Sequence, residues 1–515
     1  MKTSEHLFYL IKSLSKSEKR SFKIFANQYS KKDENNYTLL FDAIDKMQVY
    51  DHQALIKSMS DRTNAKMIST LKVQLSELIL KSLRQNSASY NYSLKLRQEI
   101  DYIEILFQKG LYPQAKKLLE KTVDFARLKE DYLALDQLSI LEYNIALKQS
   151  NKEDLDHYID ITYPEVRRAR ETNDTLAEFE FLSVKMRICL LEGATLGRTE
   201  TLQKLQDIIE HPLMNVNIKT YPKRCQLDFH AIWGHFHFVF DHPIEMYFHR
   251  KQVLEIMKEL DFEKRKWLTH ARFLLVGLST YKMFDAFDRE LEDIHKTIQS
   301  IPAQSRTQSF SDELDNTLNN IKLNRDMDAG DYSVVQSYVS ELEEKYGNPS
   351  LQIDDNLRMV FFFNFLYAHL ASKHYKKALY WSNEILNSAN MRDIRSDAHA
   401  YVRLQLICIN YGLENYDMIR HLVKSAQRYV KKRDLENPLV LTFLRFANNH
   451  LTEPYSERKE AAFDQVIAEI EEMAQEESGK ISLEYFNTLS WLQSIRNNSS
   501  MESEEKKRLK RAVKG

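Results

Sequence analysis

The amino-acid sequence predicts an all-α protein made chiefly of stacked antiparallel helical hairpins, with a small all-helical N-terminal domain ahead of them. Three observations predict it. Among 515 residues only 10 are Gly and 9 are Pro, far below the roughly 7% and 5% of ordinary proteins, so an all-β sandwich or barrel would lack its turn residues. From about residue 98, apolar residues recur with a helical period between short polar breaks. The breaks themselves return about every 43 residues. The expected division is a basic helical domain over 1–95, the repeat array over 96–495 and a charged C-terminal tail over 496–515.

In the first segment, Ser15 with Glu18 has the spacing of a capping box and opens a helix to about Gln28. A polar loop over 30–36 leads to a helix carrying Leu39, Leu40, Ile44 and Met47. A short helix follows over 52–59, and a long one starts near Arg62 with Ile68, Leu71, Leu75, Leu78 and Ile79 on one face. Residues 1–97 hold 17 Lys and Arg against 9 Asp and Glu, while the chain as a whole has a net charge of −1. A basic head on an acidic body suits contact with nucleic acid, and suits equally a head that docks on its own body. Two helices joined by Ser60-Asp61 have the layout of a helix-turn-helix, which makes Arg62, Lys66 and Lys72 candidate nucleic-acid contacts. The plainer reading is a helical head whose cations form a solvated face.

The array shows its unit most clearly at Phe107 to Leu119 (FQKGLYPQAKKLL). Gly110 can take the left-handed conformation that ends a helix, Pro113 suits a first turn, Tyr112 packs across the hairpin and Ala115 lets paired helices approach. The same grammar returns at Gly330-Asp331-Tyr332, at Tyr375 with Ala378, and at Tyr416. Weaker breaks fall near Leu155, Thr199, Pro243 and Phe284. One such hairpin cannot bury its apolar face alone, so terminal units should differ from the rest. The charged stretch 458–477 and the apolar stretch 481–495 suit a cap, and the basic end EEKKRLKRAVKG reads as a solvated tail.

KGLYPQA and KHYKKA resemble the turn between helix A and helix B of the tetratricopeptide-repeat superfamily, which places Gly, then Tyr, then Ala at that point. The resemblance covers roughly residues 98 to 490 and implies a right-handed α-solenoid with a concave groove. Two features depart from the family pattern: the period is near 43 rather than 34, and the Trp-Leu-Gly part of the helix A signature is mostly missing. The longer period implies helices about a turn longer each.

Motifs for chemistry are sparse. No G-x-G-x-x-G, Walker A or G-x-S-x-G pattern occurs. Cys189, Cys225 and Cys408 are far apart, as expected of reduced thiols. The densest reactive cluster is Asp228, His230, His235, His237, Asp241, His242 and His249. Only Glu245 with His249 has the four-residue spacing of a helical metal site. With Phe229, Trp233, Phe236, Phe238 and Phe240 interleaved, the ordinary reading is an aromatic core helix edged by histidines. The most apolar run, 359–371, is about 13 residues, short of the roughly 20 that cross a bilayer.

The expectation is therefore a cytoplasmic, bacterial, non-enzymatic scaffold without cofactor, metal or membrane contact, whose groove binds a protein or peptide segment. The alternative is a transcriptional regulator with a DNA-binding head and a sensor array. That alternative requires binding that weakens steeply with salt and disappears when Arg62, Lys66 and Lys72 are replaced together.

Overall fold

The computed structural model describes residues 3–28, 36–59, 65–87, 91–191, 199–260, 264–301, 308–349, 351, 353–388, 396–433, 435–475, 479, 482, 483 and 485–512. Among these the regular structure is helical, with no strand. Contacts group the chain into two compact units, one of residues 1–176 with 297–315 and the other of 177–296 with 316–515.

The first unit opens with α1 (Thr3–Ser13), α2 (Lys16–Asn27), α3 (Asn36–Lys46), α4 (His52–Met59) and α5 (Ala65–Ser87). The capping box forms in both directions: the Glu18 N–H donates to Ser15 Oγ at 3.2 Å and the Ser15 N–H to the Glu18 carboxylate at 2.7 Å. Two donors that no helical turn can reach are thereby satisfied. Helices α1, α2 and α3 pack on α5 and bury Phe22, Leu40, Phe41, Ile44, Leu75 and Ile79. Next come α6 (Tyr92–Gln108), α7 (Tyr112–Leu128) and α8 (Tyr132–Gln149), with α6 touching both of the others around Ile103, Ala115 and Leu138. A further helix starts as α9 (Lys152–His157), widens through one π turn (Tyr158–Thr162) and continues as α10 (Tyr163–Leu191).

Downstream of α11 (Thr199–Ile209) the helices run in pairs: α12 (Lys223–Val239) with α13 (Pro243–Glu259), α14 (Lys264–Thr280) with α15 (Phe284–Ser300), and α16 (Gln308–Asp328) with α17 (Tyr332–Gly347). The pairs α18 (Asp355–Ala371) with α19 (Tyr375–Asn387) and α20 (Ser396–Gly412) with α21 (Tyr416–Lys432) follow. Then come α22 (Pro438–His450), α23 (Glu460–Met473), α24 (Thr488–Arg496) and α25 (Met501–Ala512). First helices begin at Lys223, Lys264, Gln308, Asp355, Ser396 and Pro438, 41 to 47 residues apart, an interval close to that between the polar breaks of the sequence. Successive pairs stack, as where α18 meets α20 and α19 meets α20.

The turn within a pair is the same device each time. One residue adopts positive φ, and the next N–H reaches back five residues: Leu111 to the Leu106 carbonyl across Gly110, and Asp331 to Asp326 across Gly330. This is the Schellman closure of a helix. It recurs at Glu130, Asp241, Lys282, Lys373 and Glu414, where a side chain sits in a conformation costing about 1 kcal/mol relative to right-handed backbone. Except at α13, which starts with Pro243, an aromatic residue then opens the next helix. The Tyr112 ring lies 5.6 Å from Phe107, Tyr332 lies 5.9 Å from Tyr367, and Tyr416 lies 5.6 Å from Tyr411. Tyr375 instead fills the space that Gly412 leaves by having no side chain. Ala115 and Ala378 are fully buried where paired helices meet.

The C-terminal end does not behave as a solvated tail. Residues 501–512 form α25, which buries Met501, Glu504 and Glu505. Glu505 accepts from the Asn487 amide and from Ser490 Oγ at 2.7 Å. Glu502 accepts from the Ser333 N–H at 2.8 Å and Oγ at 3.0 Å, capping α17, and Lys506 pairs with Asp331 at 2.9 Å. The basic composition of this stretch concealed the acidic face by which it docks. Ahead of it, Phe486, Trp491 and Leu492 are buried against the array, with the Trp491 ring edge-on to Tyr411 and Phe443.

These turns make unequal demands on their glycines. At Gly110 an added Cβ meets nothing within 4 Å, so Gly110→Ala costs only the left-handed strain, about 1 kcal/mol. At Gly412 the same atom would lie inside the Tyr375 ring, and Gly412→Ala should cost about 3 kcal/mol by overpacking. Urea-unfolding midpoints of the two variants check the order.

Candidate functional site

Polar side chains that recur one repeat apart converge in the second unit. Thr280 on α14, Asn324 on α16 and Asn364 on α18 line one cavity of about 160 Å³. The Asn364 amide donates to Asn324 Oδ1 at 2.8 Å, and the Asn324 amide donates to Asn320 Oδ1 at 3.2 Å. Asparagine is a poor residue for a helix interior, so two of them bonded to each other across neighbouring first helices serve the surface those helices share. Tyr332 and Tyr367 supply phenols to the same cavity, with the hydroxyls 3.4 Å apart. Burial raises both above the usual phenol range, so they stay neutral hydrogen-bonding groups.

The C-terminal segment forms the remaining wall. Tyr485 stacks on Tyr401 at 4.9 Å and donates to Asp397 at 2.8 Å, and the Asn487 N–H donates to the Tyr367 hydroxyl at 3.2 Å. Arg508 and Glu505 also reach the cavity. The lining offers amide, phenol and ion-paired groups suited to hydrogen bonding a polypeptide backbone.

The residues singled out in the sequence separate into three groups. Gly110, Tyr112, Ala115, Gly330, Tyr375, Ala378 and Tyr416 hold turns and helix contacts, and of the repeat residues only Tyr332 also faces the cavity. Arg62 lies outside the described residues, as does the side chain of Lys66. Lys72 is buried, its amine donating to the Tyr50 hydroxyl and lying 3.2 Å from His52 Nδ1, which leaves it poorly placed to reach a phosphate. Sequence reading missed Asn324, Asn364 and Tyr485. The 40-residue interval between the two asparagines, close to the repeat length, was the signal available.

The histidine helix is an aromatic core element. His230 and His249 pair through their Nδ1 atoms at 2.8 Å, His237 and His242 at 3.1 Å, and Trp233 stacks on His237 and His249. His235 points elsewhere, to Phe273 and the buried guanidinium of Arg250. Arg250 sits between the Phe238 and Phe273 rings at 5.2 and 5.6 Å, and burial pulls it down to about 10. Among the described residues no group of three or more His, Cys, Asp or Glu side chains is arranged to hold a metal. The three cysteines are free and buried.

Desolvation lowers the imidazoles of His230 and His270 to about 4 and that of His249 to about 3. Unfolded, each takes its proton near pH 6.5, so below that pH the unfolded chain binds more protons and stability falls as pH falls. Asp228, raised to about 6 by burial, opposes one of the three between pH 6 and its ordinary value. The urea midpoint should therefore drop between about pH 7.5 and about pH 5, and His249→Gln should flatten that dependence.

No described helix is long and apolar enough to cross a membrane. No protein-family model, curated protein or solved structure matches the chain.

Proposed function

We propose that this chain is a non-enzymatic scaffold or adaptor of the cytoplasm, a tetratricopeptide-like right-handed α-solenoid whose inner groove binds a protein or peptide segment. One observation carries the reading. Thr280, Asn324 and Asn364 stand one repeat apart on successive first helices and open on one cavity with the phenols of Tyr332 and Tyr367. Two amides and a hydroxyl opening on one cavity can satisfy the backbone of an extended segment with little dependence on its sequence, and adjoining aromatic rings supply anchors. The turns at Gly110, Gly330, Lys373 and Glu414 support the tetratricopeptide likeness, since they combine a left-handed residue with an aromatic helix start.

The test immobilises the full chain and the double variant Asn324→Ala/Asn364→Ala, passes native lysate over both, and identifies what is retained. The expected result is a specific protein held by the natural chain and lost at least tenfold from the variant, whose far-ultraviolet circular dichroism is unchanged. Equal retention by both proteins, or none by either, overturns the groove as the binding surface. Nucleic acid held by the natural chain and released by moderate salt would instead favour a regulator.

A further inference from the structure

A second cavity lies in the first unit, apart from the residues that line the asparagine cavity. It has a volume of about 470 Å³ and is lined by α7, α8, α9 and the π turn. Its floor is apolar: Leu119, Ile145 and Ala146 are nearly inaccessible, and Val123 is half-buried beside them. Its walls are charged, and the cations on them are already committed. Lys116 Nζ lies 2.7 Å from Asp154, and Arg127 forks the Glu165 carboxylate with two bonds of 2.6 Å while also holding Asp124 at 3.0 Å.

Glu142 stands apart from these pairs. Its carboxylate accepts from Thr162 Oγ1 at 2.9 Å, and the only cationic group within 4 Å of it among the described residues is His157, at 3.9 Å. Burial raises this carboxyl above its ordinary value despite the Thr162 hydrogen bond and the nearby charges of His157 and Arg127, the mark of a charge taken from water without a full counter-charge. Glu120, on the same wall, lies one helical turn from Lys116 and feels its charge, while the Lys116 amine itself is bonded to Asp154. Thr162 closes the π turn, an insertion that costs helix stability and is found most often at functional positions.

A cavity with an apolar floor and an under-compensated, half-buried carboxylate fits a cation carried on an aliphatic stem. We infer that this cleft binds an alkylammonium or guanidinium group, its stem on Leu119, Val123, Ile145 and Ala146 and its cation beside Glu142 and Glu120. The chemistry is that of a lysine or arginine side chain of a polypeptide, and equally of a free aliphatic amine. The inference is independent of the asparagine groove and stands or falls separately from it.

The experiment titrates the full chain with Nα-acetyl-lysine methylamide, Nα-acetyl-arginine methylamide, putrescine and the uncharged Nα-acetyl-norleucine methylamide, read by calorimetry and by ligand-observed nuclear magnetic resonance. Binding of a cationic probe at millimolar concentration is expected, at least tenfold weaker for the norleucine compound and at least tenfold weaker in the isosteric variant Glu142→Gln. Thermal unfolding of that variant serves as the control, with an unchanged or raised midpoint showing that the cleft survives. Tighter binding of the capped amino acids than of putrescine assigns the site to a polypeptide side chain, and the reverse order assigns it to a free amine. Absence of binding by all cationic probes, or binding unaffected by Glu142→Gln in a folded variant, overturns the inference.

Discussion

Everything in the array depends on reversing a helix within three residues. A helix of 17 residues, the length of α6, α7, α12, α13, α14, α15, α18, α20 and α21, is about 25 Å long. It can meet its successor along that length only if the chain turns back at once. The left-handed residue with its five-residue hydrogen bond does this, satisfying the last carbonyls while redirecting the backbone. Among the described residues eight turns have this form, the eighth across Asn498 between α24 and α25, and six of the eight accept the strain of a side chain at positive φ. That strain is small against the apolar surface each hairpin buries.

Polar cross-links then restrict which surfaces pack together. Glu343 on α17 receives the His369 Nε2 of α18 at 2.6 Å and the Trp381 Nε1 of α19 at 2.5 Å, with Lys377 at 3.5 Å. Burial alone would raise this carboxyl, but those donors outweigh it and hold it low. Glu290 on α15 accepts from Tyr247 and Lys251 of α13, each at 2.6 Å, and Glu505 joins the C-terminal helix to Asn487 and Ser490. A buried carboxylate left without its donors is costly, so hairpins that pair in another register are penalised more than an all-apolar interface would penalise them.

The two cavities use this architecture in opposite ways. Around Asn324 the polar groups already satisfy one another, and the C-terminal segment supplies part of the wall. Around Glu142 the floor is apolar and the charge compensation incomplete. The first suits exchange of hydrogen bonds with a backbone, the second a single charged group.

Local order was legible in the sequence. The capping box at Ser15, the helix starts at Tyr112, Pro243, Phe284, Tyr332, Tyr375 and Tyr416, and the all-helical class follow from interactions between residues close along the chain. The turns at Glu130, Lys373 and Glu414 were harder to read because no glycine marks them. Long-range placement was not legible. That α25 docks through Glu502 and Glu505 on a turn some 170 residues earlier, that Lys72 turns inward to Tyr50, and that Asn324 meets Asn364 are all outcomes of packing. Helical period and turn chemistry depend on a few neighbouring residues. The partner of a charged or amide side chain is set by desolvation in three dimensions, and one sequence records that only as a residue type.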